Sequence, residues 1–129
     1  MCKRLVIMLL VLSMGIIFIG CNGKNQIPEG VGQDFYEDMV VASNLLLQDV
    51  KILKNSLDIG DKSYNYIYKY SDSDLTFIEN AILESFEDLI IWVSGYHWGY
   101  KYVDNIEIAL NTFTRLMNIE IDINDLLLN

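Results

Sequence analysis

The feature that most constrains the fold is a helical spacing of apolar residues, which recurs in three segments of the chain. In the first segment the apolar residues follow one another at steps of three or four: Phe35, Met39, Ala42, Leu46, Val50, Leu53 and Leu57. This spacing places all of them on one side of an α-helix. Asp34 near the start and Lys54 near the end suit the helix dipole. Gly60 can supply a left-handed cap. We therefore predict a long helix that begins at residue 34.

Two more long helices follow from the same spacing. The second runs through Leu75, Ile78, Ile82, Phe86, Leu89, Val93 and Tyr96, and the third through Val103, Ile106, Leu110, Phe113 and Met117. Thr76 and Glu79 have the spacing of a capping box at the start of the second helix. Its centre, from Leu89 to Val93, is apolar on every side, which predicts a helix buried in the middle of the fold.

The segment 61–70 fits two structures. Tyr64, Tyr66, Tyr68 and Tyr70 alternate with other residues, which is typical of one face of a strand. Tyr64 and Tyr68 also fit a helical face together with Ile67. A lone strand cannot satisfy its backbone, so a short helix is favoured. A last helical turn starting at 122 or 124 completes an all-α fold: a small antiparallel helical bundle of three main helices plus one or two short ones.

The N-terminus has the three parts of a secretory signal. Lys3 and Arg4 precede an apolar segment, residues 5–19, and Gly20 then precedes Cys21. A helix of that length covers roughly 23 Å, which is short of a bilayer core about 30 Å thick. The sequence therefore predicts a signal peptide at 1–20, a glycine-containing tether at 21–33 and a helical domain at 34–129.

The segment Phe18-Ile19-Gly20-Cys21 resembles the lipobox of bacterial lipoproteins. The resemblance covers residues 1–21. It implies cleavage between Gly20 and Cys21 and a diacylglycerol on the Cys21 thiol, which would anchor the chain to the extracytoplasmic face of the cell membrane. The alternatives are a plain cleaved signal or an uncleaved anchor, with Cys21 unmodified. The Ile- and Asn-rich composition favours a Gram-positive host.

Charge and cysteine content exclude several classes of function. Loss of Lys3 and Arg4 with the signal would leave seven basic against 18 acidic residues, a net charge of −11. Such a balance argues against a nucleic-acid partner and favours a basic protein partner. Cys2 would leave with the signal and Cys21 would be lipidated. No cysteine would then remain for a disulfide, a zinc site or a thiol nucleophile.

The densest aromatic run contains the only histidine. His97 lies between Tyr96 and Trp98, so it is a candidate general base or part of a ligand-stacking site. The favoured interpretation is structural, a corner between helices filled by bulky side chains. The acidic pairs Asp72 with Asp74 and Asp122 with Asp125 have oxygen ligands of the kind that calcium prefers. Helix caps and solvated helix faces explain them better, and we predict no metal site and no cofactor.

The sequence favours a non-catalytic, membrane-anchored protein-binding module at the cell envelope. One alternative is an immunity or inhibitor lipoprotein that neutralises a basic secreted toxin or hydrolase. The other is an enzyme or small-ligand binder centred on His97 and Trp98. The candidate interaction surface, where amphipathic aromatic residues are favoured, consists of Tyr64, Tyr66, Tyr68, Tyr70, Tyr96, His97 and Trp98.

Overall fold

The computed structural model describes residues 26–53 and 58–128, and within them the chain is all-helical. The helices are α1 (Gln33–Leu53), α2 (Asp61–Tyr70), α3 (Phe77–His97), α4 (Val103–Met117) and α5 (Ile123–Leu126). Three are long and two are short, as the sequence predicts. Residues 61–70 form a helix, so the strand interpretation is wrong. The predicted signal peptide, cleavage site and lipidation site lie outside the described residues, as do Lys54 and Leu57.

α1 runs antiparallel to α2, and α3 runs antiparallel to α4, since Phe86 and Trp92 of α3 meet Phe113 and Tyr102 respectively. The Ser63 hydroxyl donates to the Ala42 carbonyl at 2.8 Å, and the Lys69 ammonium lies 2.6 Å from the Asp38 carboxylate. Later residues of α2 thus pair with earlier residues of α1. The ring centroids of Phe86 and Phe113 lie 4.9 Å apart, on α3 and α4. The α3–α4 pair forms the most extensive helix packing of the bundle.

The core is built from the apolar sides that the sequence predicts. The large apolar side chains that are at most 2% exposed come from α1, α3, α4, α5 and the turn before α2: Met39, Leu46, Val50, Ile59, Ile82, Phe86, Leu89, Val93, Ile106, Phe113, Met117 and Leu126. Removing such side chains from water contributes about 25 cal/mol for each Å² buried, which is the main term that favours folding. Since these contacts link separate helices, the bundle folds around one shared core.

The predicted capping box forms and also holds the segment before α1. The Thr76 hydroxyl accepts the Glu79 backbone N–H at 3.1 Å, and the Glu79 carboxylate accepts the Thr76 backbone N–H at 3.0 Å. The other Glu79 oxygen accepts the Gly32 N–H at 3.1 Å, while the Thr76 hydroxyl donates to the Gly30 carbonyl at 2.6 Å. Residues 30–32, predicted to belong to the tether, are therefore fixed to the start of α3.

The centre of α3, which the sequence predicts to be buried in the middle of the fold, is buried except on one side. Leu89, Ile90 and Val93 are at most 3% exposed, yet Ile91 is 51% exposed. One side of α3 therefore faces solvent at an apolar residue. None of the helices in residues 26–53 and 58–128 is both long and apolar enough to cross a bilayer.

Candidate protein-binding surface

The turn between α3 and α4 is set by one glycine. Gly99 has φ +115°, a region that L side chains rarely adopt. The Tyr100 N–H donates to the Gly95 carbonyl at 2.9 Å, and the Gly99 N–H donates to the Tyr96 carbonyl at 3.1 Å. These two bonds define a Schellman motif, with Gly99 as its left-handed residue. The helix therefore continues through Gly95 and ends just before Gly99, where the chain reverses sharply.

This reversal gathers aromatic side chains at one end of the bundle. We name the group formed by Trp92, Tyr96, Trp98, Tyr100 and Tyr102 the aromatic corner. Within it Trp98 is 60% exposed, Tyr100 57% and Tyr102 56%.

The members of the aromatic corner support one another. The Trp92 and Tyr102 rings meet edge to face with centroids 5.8 Å apart, and the Trp98 and Tyr100 centroids are 6.3 Å apart. The Lys101 ammonium lies 3.9 Å from the Tyr96 ring centroid, which is cation–π geometry. These contacts limit the rotamers of the exposed rings, so binding a partner through them would cost little conformational entropy.

His97 points away from this surface into the protein. It is 3% exposed, and its Nε2 lies 2.6 Å from the Leu126 carbonyl oxygen. A carbonyl oxygen only accepts, so Nε2 is the donor of this hydrogen bond. Nδ1 is buried without a hydrogen-bond partner among the described residues. His97 thus fixes the C-terminal segment to the end of α3, in agreement with the structural interpretation.

The four tyrosines of α2 do not share one face. The Tyr64 hydroxyl donates to Glu87 of α3, and this bond raises the pKa of Tyr64 to about 12. The Tyr70 hydroxyl donates to Asp38 of α1, and burial followed by this bond raises the pKa of Tyr70 above its ordinary value. Tyr66 is half-buried and Tyr68 is 67% exposed. Two of the four therefore connect helices, and only Tyr68 is largely free to meet a partner.

The space between α1 and α2 forms an open groove. It is lined by Leu45, Lys62, Asn65, Tyr66 and Lys69. The Lys69 ammonium is already paired with Asp38. Burial would raise the pKa of Asp38, but the hydrogen bonds from Lys69 and Tyr70 outweigh it and lower that pKa. Lys69 is therefore already paired within the fold, and this makes the groove a weaker site for anions.

The acidic pairs do not form a metal centre in the part of the chain that the structure describes. Asp122 caps α5 by accepting the Asn124 N–H at 2.9 Å. Asp72 and Asp74 are exposed in the connection between α2 and α3. No group of three or more His, Cys, Asp or Glu side chains among the described residues is placed to hold a metal ion. Capping thus accounts for Asp122, as the sequence favours.

Several exposed residues were not predicted to belong to a surface. Ile91 is 51% exposed on α3 and Ile108 is 68% exposed on α4. Tyr100 and Tyr102 lie in the same aromatic run as Tyr96, His97 and Trp98 but outside the predicted interaction surface. The signal in the sequence is an excess of apolar residues over what one buried stripe requires. The same excess is also typical of deeper burial, so it does not by itself mark a surface.

Comparison of the chain with protein-family models, curated proteins and solved structures gave no match in any of the three. The fold and the surface therefore define the class of protein on their own. Within the described residues the protein is a small all-α bundle with a cluster of exposed aromatic side chains after the end of α3.

Proposed function

We propose that this protein is a lipid-anchored, non-catalytic protein-binding module of the bacterial cell envelope, and that the aromatic corner contacts its partner. The observation that carries the proposal is the concentration of Trp98, Tyr100 and Tyr102, each more than half exposed, at one end of the bundle. Trp and Tyr are enriched among residues that dominate binding energy. Burying their apolar surface on a partner contributes about 25 cal/mol per Å².

The position of the corner supports this role. The segment before α1 is fixed to Thr76 and Glu79 at the start of α3, whereas the corner lies at the opposite end of that helix. A helix of 21 residues is about 30 Å long. If Cys21 carries a lipid, the membrane lies near the start of α3 and the corner projects away from it. A partner arriving from outside would then meet the aromatic end first.

A second candidate is an immunity or inhibitor lipoprotein that neutralises a basic toxin or hydrolase. It is favoured by the charge of α3, which carries four acidic residues and no Lys or Arg. The third hypothesis, catalysis or small-ligand binding centred on His97, has less support. The ring of His97 is buried, and its Nε2 already donates a hydrogen bond to the Leu126 carbonyl. A general base must instead be within reach of its substrate.

Anchoring is tested by replacing the proposed lipid site. Cys21→Ser should abolish labelling with a radioactive fatty acid and move the protein from the membrane fraction into the medium or the periplasm. A Cys2→Ser variant is the matched control, and its labelling should be unchanged. Full membrane retention of Cys21→Ser would contradict the lipid anchor and assign anchoring to the apolar segment 5–19.

Partner binding is tested by photo-crosslinking in living cells. A photoreactive phenylalanine analogue at position 98 should give a discrete crosslinked product. The control is the same analogue at position 68, since Tyr68 is an aromatic residue on α2 with a similar exposed fraction. Equal yields at the two positions, or no product at position 98, would count against the aromatic corner.

A further inference from the structure

One side of α3 departs from the usual pattern of a bundle helix. Four of its residues follow at steps of four, three and four: Glu84, Asp88, Ile91 and Gly95. Trp98, the C-cap residue of α3, continues this spacing three positions later. This spacing puts their side chains on one side of the helix, and we call it the open side of α3. Ile91 is 51% exposed and Trp98 is 60% exposed. A solvent-facing side of a bundle helix is ordinarily polar, so two large apolar residues there need an explanation.

Gly95 gives the open side its shape. It lies between Ile91 and Trp98, inside a helix, where glycine costs about 1 kcal/mol relative to alanine. Its φ is not positive and a Cβ there would meet only Tyr100, at 4.0 Å, so neither the backbone nor crowding requires glycine. We call the gap left by the absent side chain, between Ile91 and Trp98, the Gly95 notch. Tyr100 borders it and Gly95 is half-buried, and the lack of a Cβ would let another chain approach the helix backbone there.

The charge of the open side indicates which kind of molecule would bind there. Glu84 and Asp88 occupy its first half, and α3 contains no Lys or Arg. The neighbouring helix α4 carries the exposed acids Asp104 and Glu107 and the exposed Arg115, whereas Lys101 is held over the Tyr96 ring. A second copy of this chain would place its own acidic residues opposite these. An anionic bilayer would place negative headgroups opposite them. Like charges placed opposite one another at an interface are costly, so a basic surface is the complement.

We propose that the open side of α3 is the docking surface for a basic amphipathic helix of the partner. This inference rests on the proposed function, which supplies the protein partner. Aliphatic side chains of the incoming helix would pack between Ile91 and Trp98 across the Gly95 notch, with its Lys or Arg side chains beside Glu84 and Asp88. This is recognition by paired helix faces, in which apolar anchors at helical spacing give affinity and flanking charges set the orientation.

A designed peptide tests the surface without knowledge of the natural partner. The full-length lipoprotein in phosphatidylcholine nanodiscs is titrated with an amphipathic helical peptide made of Leu and Lys, and empty nanodiscs provide the reference. Ile91→Ala with Trp98→Ala should weaken binding at least tenfold. Glu84→Gln with Asp88→Asn should do the same, and higher salt should weaken binding to the unmodified protein.

Matched controls distinguish binding at this surface from nonspecific apolar binding and from nonspecific attraction between charges. Tyr68→Ala removes an exposed aromatic residue from α2, and Asp72→Asn with Asp74→Asn removes two acids outside α3. Both should leave the affinity within twofold. A peptide with Ser in place of Leu keeps the charge but should bind at least tenfold more weakly. The inference is overturned if this peptide binds equally well, or if the variants of the open side bind like the unmodified protein.

The proposed function and the basic-helix inference can be contradicted by different results. A crosslink at position 98 in cells, together with no binding of the Leu–Lys peptide, would overturn the basic-helix inference and leave the proposed function standing. Binding of the peptide to the open side, with no crosslink at position 98, would support the chemistry of the surface and contradict the proposed function.

Discussion

Gly60 is the residue whose backbone the fold constrains most tightly. Its φ is +93°, and a Cβ there would lie 2.6 Å from Cγ2 of Ile90. Its N–H donates to the buried Asp49 carboxylate at 3.0 Å. The left-handed turn before α2 thus brings the backbone of Gly60 against α3 and satisfies a buried acid of α1. A larger residue would have to move α3 away or strain the turn.

Gly60→Ala should lower the free energy of unfolding by about 1–3 kcal/mol, the usual cost of a left-handed non-glycine residue, with the clash adding to it. Urea unfolding followed by circular dichroism measures the change. Gly95→Ala is the control, because its Cβ has room in a helix interior, and it should gain about 0.5–1 kcal/mol. Equal losses in both variants would mean that Gly60 has no special backbone role.

Glu79 makes the stability of the N-terminal cap of α3 depend on pH in the acid range. Burial would raise the pKa of Glu79, but hydrogen bonds from the Thr76 and Gly32 backbone N–H groups outweigh it and lower that pKa below its ordinary value. A lowered carboxyl pKa contributes stability above the unfolded value, and that contribution is lost as the pH falls through the folded value.

Glu79→Gln should therefore cost about 1 kcal/mol at neutral pH. It should also reduce the loss of stability between about pH 5 and pH 3. Chemical denaturation at a series of pH values measures both effects. Glu84→Gln is the control on the exposed side of the same helix and should keep the wild-type acid slope. An unchanged slope in Glu79→Gln would contradict the assigned role.

At the scale of elements, a hydrogen bond from His97 connects the end of α5 to the end of α3. Leu126 is 1% exposed, and its carbonyl receives the Nε2 proton of His97. His97→Phe should leave this buried acceptor unpaired and cost about 1–3 kcal/mol. Amide hydrogen exchange in residues 123–127 should accelerate. His97→Gln carries an amide donor in place of Nε2 and should restore part of the protection. Unchanged exchange in His97→Phe would show that α5 is held by apolar packing alone.

The sequence allowed the long helices to be predicted because their signals are local. Apolar spacing marks α1, α3 and α4, and Thr76 with Glu79 marks a helix start that the structure confirms. Two features could not be predicted from the sequence, and the reason is physical. The bond between His97 and Leu126 joins residues 29 positions apart, and no local pattern encodes it. The exposure of Ile91 depends on how many helices surround α3, which an apolar run by itself cannot reveal.

At the scale of the whole molecule, the start of the described chain and the aromatic corner lie far apart. Asn118 donates to the Gln26 carbonyl at 3.4 Å, close to the end of α4, so the described chain starts where α3 begins and α4 ends. The aromatic corner lies at the other end of this helix pair. Only residues 22–25 separate Cys21 from the first described residue. A lipid on Cys21 would therefore hold one end near the membrane and present the other.

The most direct test of the proposed binding role is oxidative footprinting of Trp98 in living cells. Its oxidation rate, measured by mass spectrometry, is compared between the cell envelope and the purified protein. We predict a several-fold lower rate for Trp98 in the envelope, since a partner would cover the corner, and an unchanged rate for Tyr68, which is 67% exposed on α2. Equal Trp98 rates in the two samples would contradict the proposal that the aromatic corner binds a partner.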